Sequence, residues 1–184
     1  MNLAYYVKNP SKAILKLNLI IFNRSRGLFY SFVFRSGKHL NVGKNSSFEI
    51  QKIKFNNRII IGNNVRIFGS GKLFLGNNVF IGDNTTICVE SEILIDSDSM
   101  IAANCYLTDT NHSTRGTQIF RLQKNRFKKT SIGKNVWIGA NSNILSGAVI
   151  GNNSVIGAGS TINTFIESDS FVIPKRELIV TRRE

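Results

Sequence analysis

The chain has 184 residues, 42% of them hydrophobic and 19% charged, and a formal net charge of +13. That length allows one ordinary domain with a sizeable core, and the hydrophobic content excludes a disordered chain. No run approaches the roughly 18 consecutive apolar residues of a membrane span, and two cysteines, Cys88 and Cys105, are too few for a disulfide framework.

The charge is uneven, because eight Lys or Arg precede the first acidic residue, Glu49. Such asymmetry implies an anionic partner (nucleic acid, a membrane surface, a polyanionic glycan or a phosphorylated cofactor) or a plain solvated basic surface. Residues 2 to about 22 favour helix, with Lys8, Lys12 and Lys16 along one side and Tyr6, Val7, Ile14, Leu15 and Leu19 available to another. The apolar run Leu15 to Phe22 is followed by Arg24 and Arg26 rather than a small-residue cleavage site, so a cytoplasmic location is expected. A basic amphipathic helix can lie on an anionic membrane. It can also cap the structure that follows it, which is the preferred reading. Arg24 to Phe34 reads as a strand or loop leading into that structure.

From residue 40 onward the pattern has a strict period of six. The series are Phe55, Ile61, Ile67, Leu73; then Leu75, Ile81, Ile87, Ile93; then Ile95, Ile101, Leu107; then Ile132, Ile138, Ile144, Ile150, Ile156, Ile162. The register slips by two residues between blocks, as a short turn insertion would cause. Neither a helical period of 3.6 nor strand alternation gives six. Glycine and asparagine, which tolerate positive φ, follow the large apolar residues, so each hexad carries its own corner. Small residues stand two before each late isoleucine: Val136, Ser142, Ala148, Ser154, Ser160. Each hexad is then a short strand and a corner that cannot bury its apolar side alone. Three close a triangular coil, and the coils must stack.

The repeat breaks once. After Leu107 come Thr108, Asp109, Thr110, Asn111 and His112, then a stretch from Ser113 to Lys129 with six cations and no acid. A loop extruded from a regular solenoid is more often functional than structural. His112, one of two histidines, stands at its root, and imidazole is well matched to proton transfer near neutral pH. His39, before the regular coils, reads as structural. The expected organisation is a helical cap over 1–39, the solenoid over 40–166 with loop 113–129, and a tail over 167–184.

The segment IGKNVWIGANSNILSGAVIGNNSVIGAGSTI, Ile132 to Ile162, resembles the hexapeptide-repeat acyltransferases, and within them the sugar O-acetyltransferases related to maltose, galactoside and capsule or O-antigen enzymes. The resemblance covers roughly residues 40 to 166. It implies an all-β, left-handed parallel β-helix, usually a homotrimer with active sites between neighbouring subunits. It also implies transfer of acetyl from acetyl-CoA to a sugar hydroxyl in surface-polysaccharide biosynthesis, with no metal. His112 would be the general base and the Ala140 backbone N–H an oxyanion donor. Asn84 would bind the acceptor or serve as one more corner. Asp109 would orient His112 and the acceptor or serve as a turn residue. Trp137, Gly139, Ala140, Gly157 and Ala158 match the donor-side signature, where small residues let the pantetheine arm approach the backbone. The C-terminus departs from the family pattern, and Lys175 and Arg176 are candidate phosphate contacts there.

Three alternatives stand beside this reading. A carbonic-anhydrase-like zinc site needs three histidines across subunits, and the chain has two in all. An N-acetyltransferase on an aminosugar or drug would use the same machinery, and the basic loop favours an anionic or phosphate-linked acceptor. A non-catalytic basic module rests on net charge alone, with no nucleic-acid motif.

Overall fold

The computed structural model describes residues 10–34, 37–114 and 116–174, with side chains described from residue 21 onward. It is a parallel β-solenoid whose end is covered by a long helix, α1 (Pro10–Val33).

The first two coils are built from β1 (Leu40–Val42), β2 (Ser47–Phe55), β3 (Ile59–Ile61) and β4 (Arg66–Leu75). β1 and β3 lie on the first face, where seven strands stack. β2 and β4 are long enough to run from the second face around a corner onto the third, which joins those two faces into one ten-stranded sheet. The bend in β4 falls at Gly69, whose φ is +127°. All inter-coil pairings are parallel. On the first face the inward positions align as Val42, Ile61, Ile81, Ile101, Ile138, Ile156 and Val172. On the second, Ile67, Ile87, Leu107, Ile144 and Ile162 do so. On the third the column is Leu75, Ile95, Ile132, Ile150 and Ile166. The hexads thus fill three columns in turn, and the small residues Val136, Ser142, Ala148, Ser154 and Ser160 are buried at the corners between them.

The two-residue slip has a different origin from a turn insertion. In the early coils the third face carries a second inward residue, the column Ile53, Leu73, Ile93, which ends on Thr130. Equivalent corners are therefore 20 residues apart from Asn64 to Asn84 and from Asn84 to Asn104, and later ones 18 apart, as Asn135 and Asn153 are. Corner side chains form ladders along the axis, for example Asn45–Asn64–Asn84–Asn104 at 3.3, 3.0 and 3.1 Å.

The helix runs further than the sequence suggests: Arg24 to Val33, read as strand or loop, is helical. Its inner side is what makes it so. Gly27 packs so closely that a Cβ there would stand 1.7 Å from the Leu40 carbonyl oxygen. Arg26 Nε donates to the Val42 carbonyl at 3.0 Å, covering an open edge of the first coil. Tyr30 lies 4.4 Å from Phe48 between ring centres, and Phe34 lies 5.9 Å from Phe55. The helix caps the core. At the other end, Phe171–Val172 adds a seventh strand to the first face, inside what the sequence suggested was tail. No helix among the described residues is long and apolar enough to cross a membrane.

Candidate functional site at the root of the extruded loop

The loop leaves the fourth coil after Tyr106–Thr108 and begins as a short antiparallel ribbon, with Thr110 opposite Phe127 and Asn111 opposite Arg126. Its root is pinned to the coil. Lys128 N–H donates to the Asp109 carbonyl at 2.9 Å, Ser146 Oγ to the same carbonyl at 2.8 Å, and the buried Thr130 Oγ1 to the Thr108 carbonyl at 2.9 Å. His112 is the first residue past the ribbon. It is exposed, and its backbone N–H is held by Asn111 Oδ1 at 2.9 Å.

His112 lies between two concavities. The first, about 370 Å³, is walled by Tyr106, Thr108, Thr110, Asn125, Leu145, Ser146 and Asn163. Burial pushes the Tyr106 phenol up, against the opposing pull of its hydrogen bond with Thr108. Thr110 Oγ1 is buried and has no hydrogen-bond partner among the described residues. The second concavity, about 280 Å³, is basic and includes Arg126 and Lys128 with Thr114, Phe127 and Ser146. The sequence singles out His112 but not Tyr106, Asn125, Ser146 and Asn163, which line the same concavity. Tyr106 carried a readable signal, since it occupies the outward position before Leu107, as Trp137 does before Ile138.

Asp109 does not reach an acceptor or the imidazole. It is fully buried, with Oδ1 accepting from Glu90 N–H at 2.8 Å and Oδ2 from Ser91 N–H at 2.7 Å. Both oxygens are taken by the corner of the coil beneath, so this carboxylate is a structural staple. Asn84 has φ 58° and is a rung of the asparagine ladder, outside both concavities.

The donor-side residues occupy a different corner. Gly139 and Ala140 follow the first-face strand Trp137–Ile138, and Gly157 and Ala158 follow Val155–Ile156 directly above it. Gly139 N–H donates to Ile156 O and Gly159 N–H to Ala140 O, at 2.7 and 2.8 Å. The space around these glycines is used by the chain itself: a Cβ on Gly139 would stand 2.5 Å from Ala158 N, and one on Gly157 2.9 Å from Val172 O. Trp137 points outward and is 49% exposed, in register with Met100 below and Val155 above. None of these residues lines the His112 concavities. Lys175 and Arg176 lie outside the described residues.

Two stretches match family models. Residues 129–172 match the bacterial transferase hexapeptide (six repeats), and residues 73–109 match the hexapeptide repeat of succinyl-transferase. Among curated relatives, the bifunctional protein GlmU of Streptococcus uberis is 40% identical over 57 residues, 31% of this chain and 12% of that protein. GlmU of Methanococcus aeolicus is 48% identical over 54 residues, 29% and 13% respectively. The match spans about an eighth of the length of these relatives. Among solved structures, a variant of AntD, an N-acyltransferase from Bacillus cereus in complex with dTDP and coenzyme A, has a TM-score of 0.71 at 21% identity, covering 84% of this chain and 88% of AntD. A galactoside acetyltransferase in complex with coenzyme A has a TM-score of 0.57 at 24% identity, covering 88% and 76%. These structural likenesses show the solenoid fold. The chain therefore carries the hexapeptide repeat of bacterial transferases over its residues 73–109 and 129–172.

Proposed function

We propose that the chain is an acyltransferase that moves an acetyl group from acetyl-CoA to a sugar hydroxyl, in the assembly of a surface polysaccharide in the cytoplasm. The observation that carries this reading is His112: an exposed residue at the pinned root of the extruded loop, between two concavities that it helps to line. The imidazole takes the proton of the acceptor hydroxyl, whose oxygen forms a bond to the thioester carbonyl carbon. The carbon–sulfur bond then breaks, and the thiolate of CoA leaves. A base so placed contributes about 10²- to 10⁴-fold in rate.

The donor corner of Gly139, Ala140, Gly157 and Ala158 is separate from His112 within one chain, which favours a site completed by a second copy. The first face offers an outward apolar stripe for it, Ile60, Met100, Trp137 and Phe171, all exposed. A homotrimer that sets this face beside a neighbour's loop root brings the two half-sites together. Asn84, on the same side of the coil as Ala140, would then face the acceptor. Lys175 and Arg176 remain candidates for the nucleotide end of CoA.

A second reading, N-acylation of a nucleotide-linked aminosugar, is favoured by the basic concavity at His112. Arg126 and Lys128 are suited to a diphosphate, and AntD, described as an N-acyltransferase, is complexed with dTDP. The test is release of CoA thiol from acetyl-CoA with neutral sugars and with nucleotide-linked aminosugars as acceptors. The expected result is turnover with a neutral sugar that falls about 10²-fold or more in His112→Ala. Turnover only with the aminosugars establishes the second reading. Full activity of His112→Ala overturns the role of the base in both.

A further inference from the structure

The capping helix has two sides, and only one is used by the solenoid. Asn23, Arg26, Gly27, Tyr30 and Phe34 face the first coil. The opposite side carries Ile21, Phe22, Leu28, Phe29 and Phe32, each more than half exposed and Phe32 85% exposed. A helix whose only task was to cap would present polar side chains to water there, since its inner side already supplies the burial. These five residues fall within about 120° of the helix circumference, a stripe interrupted by Ser25.

The charge around the stripe indicates what covers it. Residues 1–48 contain eight Lys or Arg and no Asp or Glu. Arg24 is exposed and flanks the stripe beside Leu28. Beside it, a cleft of about 390 Å³ opens between the helix and the first coil, with a mostly apolar lining that includes Leu28 and with Arg24, Lys38 and His39 among its walls. A second copy of this chain docked on the stripe would bring together two sets of uncompensated cations. An anionic lipid surface neutralises them while its acyl region takes up the aromatic side chains.

We propose that the outward side of α1 is a docking surface for an anionic membrane, with Phe29 and Phe32 entering the headgroup–acyl boundary and the Arg24–Lys38 cleft receiving a lipid phosphate. The capping and membrane roles of the helix are then its two opposite faces rather than alternatives. With coils about 4.8 Å apart, the His112 concavity on the fourth coil stands about 14 Å above the first coil, and the thickness of α1, about 10 Å, separates that coil from the docked surface.

The experiment is co-sedimentation of the full chain with vesicles of phosphatidylcholine alone and of phosphatidylcholine with about one third phosphatidylglycerol. Binding to the anionic vesicles is expected to be at least about tenfold tighter and to weaken with salt. Phe29→Ser with Phe32→Ser should reduce it about tenfold or more. Arg24→Gln with Lys38→Gln should reduce it about tenfold while leaving the thermal midpoint unchanged. Absence of binding, equal binding to both vesicles, or unchanged binding of the phenylalanine variant overturns the proposal. A phenylalanine variant that alters oligomeric state without altering vesicle binding assigns the stripe to a second copy and overturns it equally.

Discussion

Burial pushes the thiols of Cys88 and Cys105 and the phenol of Tyr106 up from their ordinary values. In each case desolvation of the charged form is the leading cause. The folded chain therefore holds protons that the unfolded chain releases more readily. These groups contribute their full stabilisation at neutral pH, and it is lost as pH rises above about 9. The thermal midpoint should fall steadily from about pH 9 upward, and the fall should be shallower in Cys88→Ala with Cys105→Ala. A midpoint flat to pH 11 would contradict this. Asp109 shows what the sequence could not reveal at the same scale. Its neighbours Thr108 and Thr110 suggest a turn beside a catalytic histidine, yet its carboxylate is held by Glu90 and Ser91 N–H groups 19 and 18 residues away, on the previous coil. That distance is set by how the coils stack, which no local pattern states. His112 was legible because the repeat stops beside it. Asn125 and Asn163 were not, because they meet only after three coils and the loop fold together.

At the level of elements, a strict hexad is easy to read because identical positions repeat their burial, and the columns of Ile61, Ile81 and Ile101 or Leu107, Ile144 and Ile162 follow directly from it. The two-residue slip was visible but its cause was not, because an added inward residue and a longer corner look alike in one dimension. The helix boundary failed for a related reason. The segment from Leu28 to Phe34 is aromatic and β-branched enough to suggest a strand, and its helical state depends on packing against Phe48 and Phe55 from the first coil. The bend of β4 allows a direct test of how firmly the second and third faces are joined. A side chain at Gly69 would meet φ +127° and put its Cβ 2.0 Å from the Val89 carbonyl oxygen. Gly116, with φ +79°, has nothing within 4 Å. Gly69→Ala should cost about 3 kcal/mol or more in denaturant unfolding, whereas Gly116→Ala should cost about 1 kcal/mol. Equal effects would mean that the corner relaxes and that β4 is two strands rather than one.

For the whole molecule, the separation of His112 from the Gly139–Ala158 corner turns subunit arrangement into a functional question. A closed ring of three copies repeats one interface three times, so each site would draw its base from one subunit and its donor corner from the next. Two inactive variants should then rescue each other. His112→Ala removes the base and leaves the corner intact. Ala158→Trp fills the corner from an exposed turn position and leaves the base intact. Each variant alone should be inactive as a homo-oligomer. Mixed by unfolding and refolding together in equal amounts, they form sites at random. A site is competent when its base-donating subunit and its corner-donating subunit are each the undamaged kind, so about one quarter of the wild-type activity should return. The readout is CoA release, with sedimentation velocity confirming that the mixed species match the wild type in size. Recovery to this level requires a shared site. No recovery from subunits that have demonstrably mixed would mean that base and donor corner act within one chain, and the apolar stripe of Ile60, Met100, Trp137 and Phe171 would then hold subunits together without completing their chemistry.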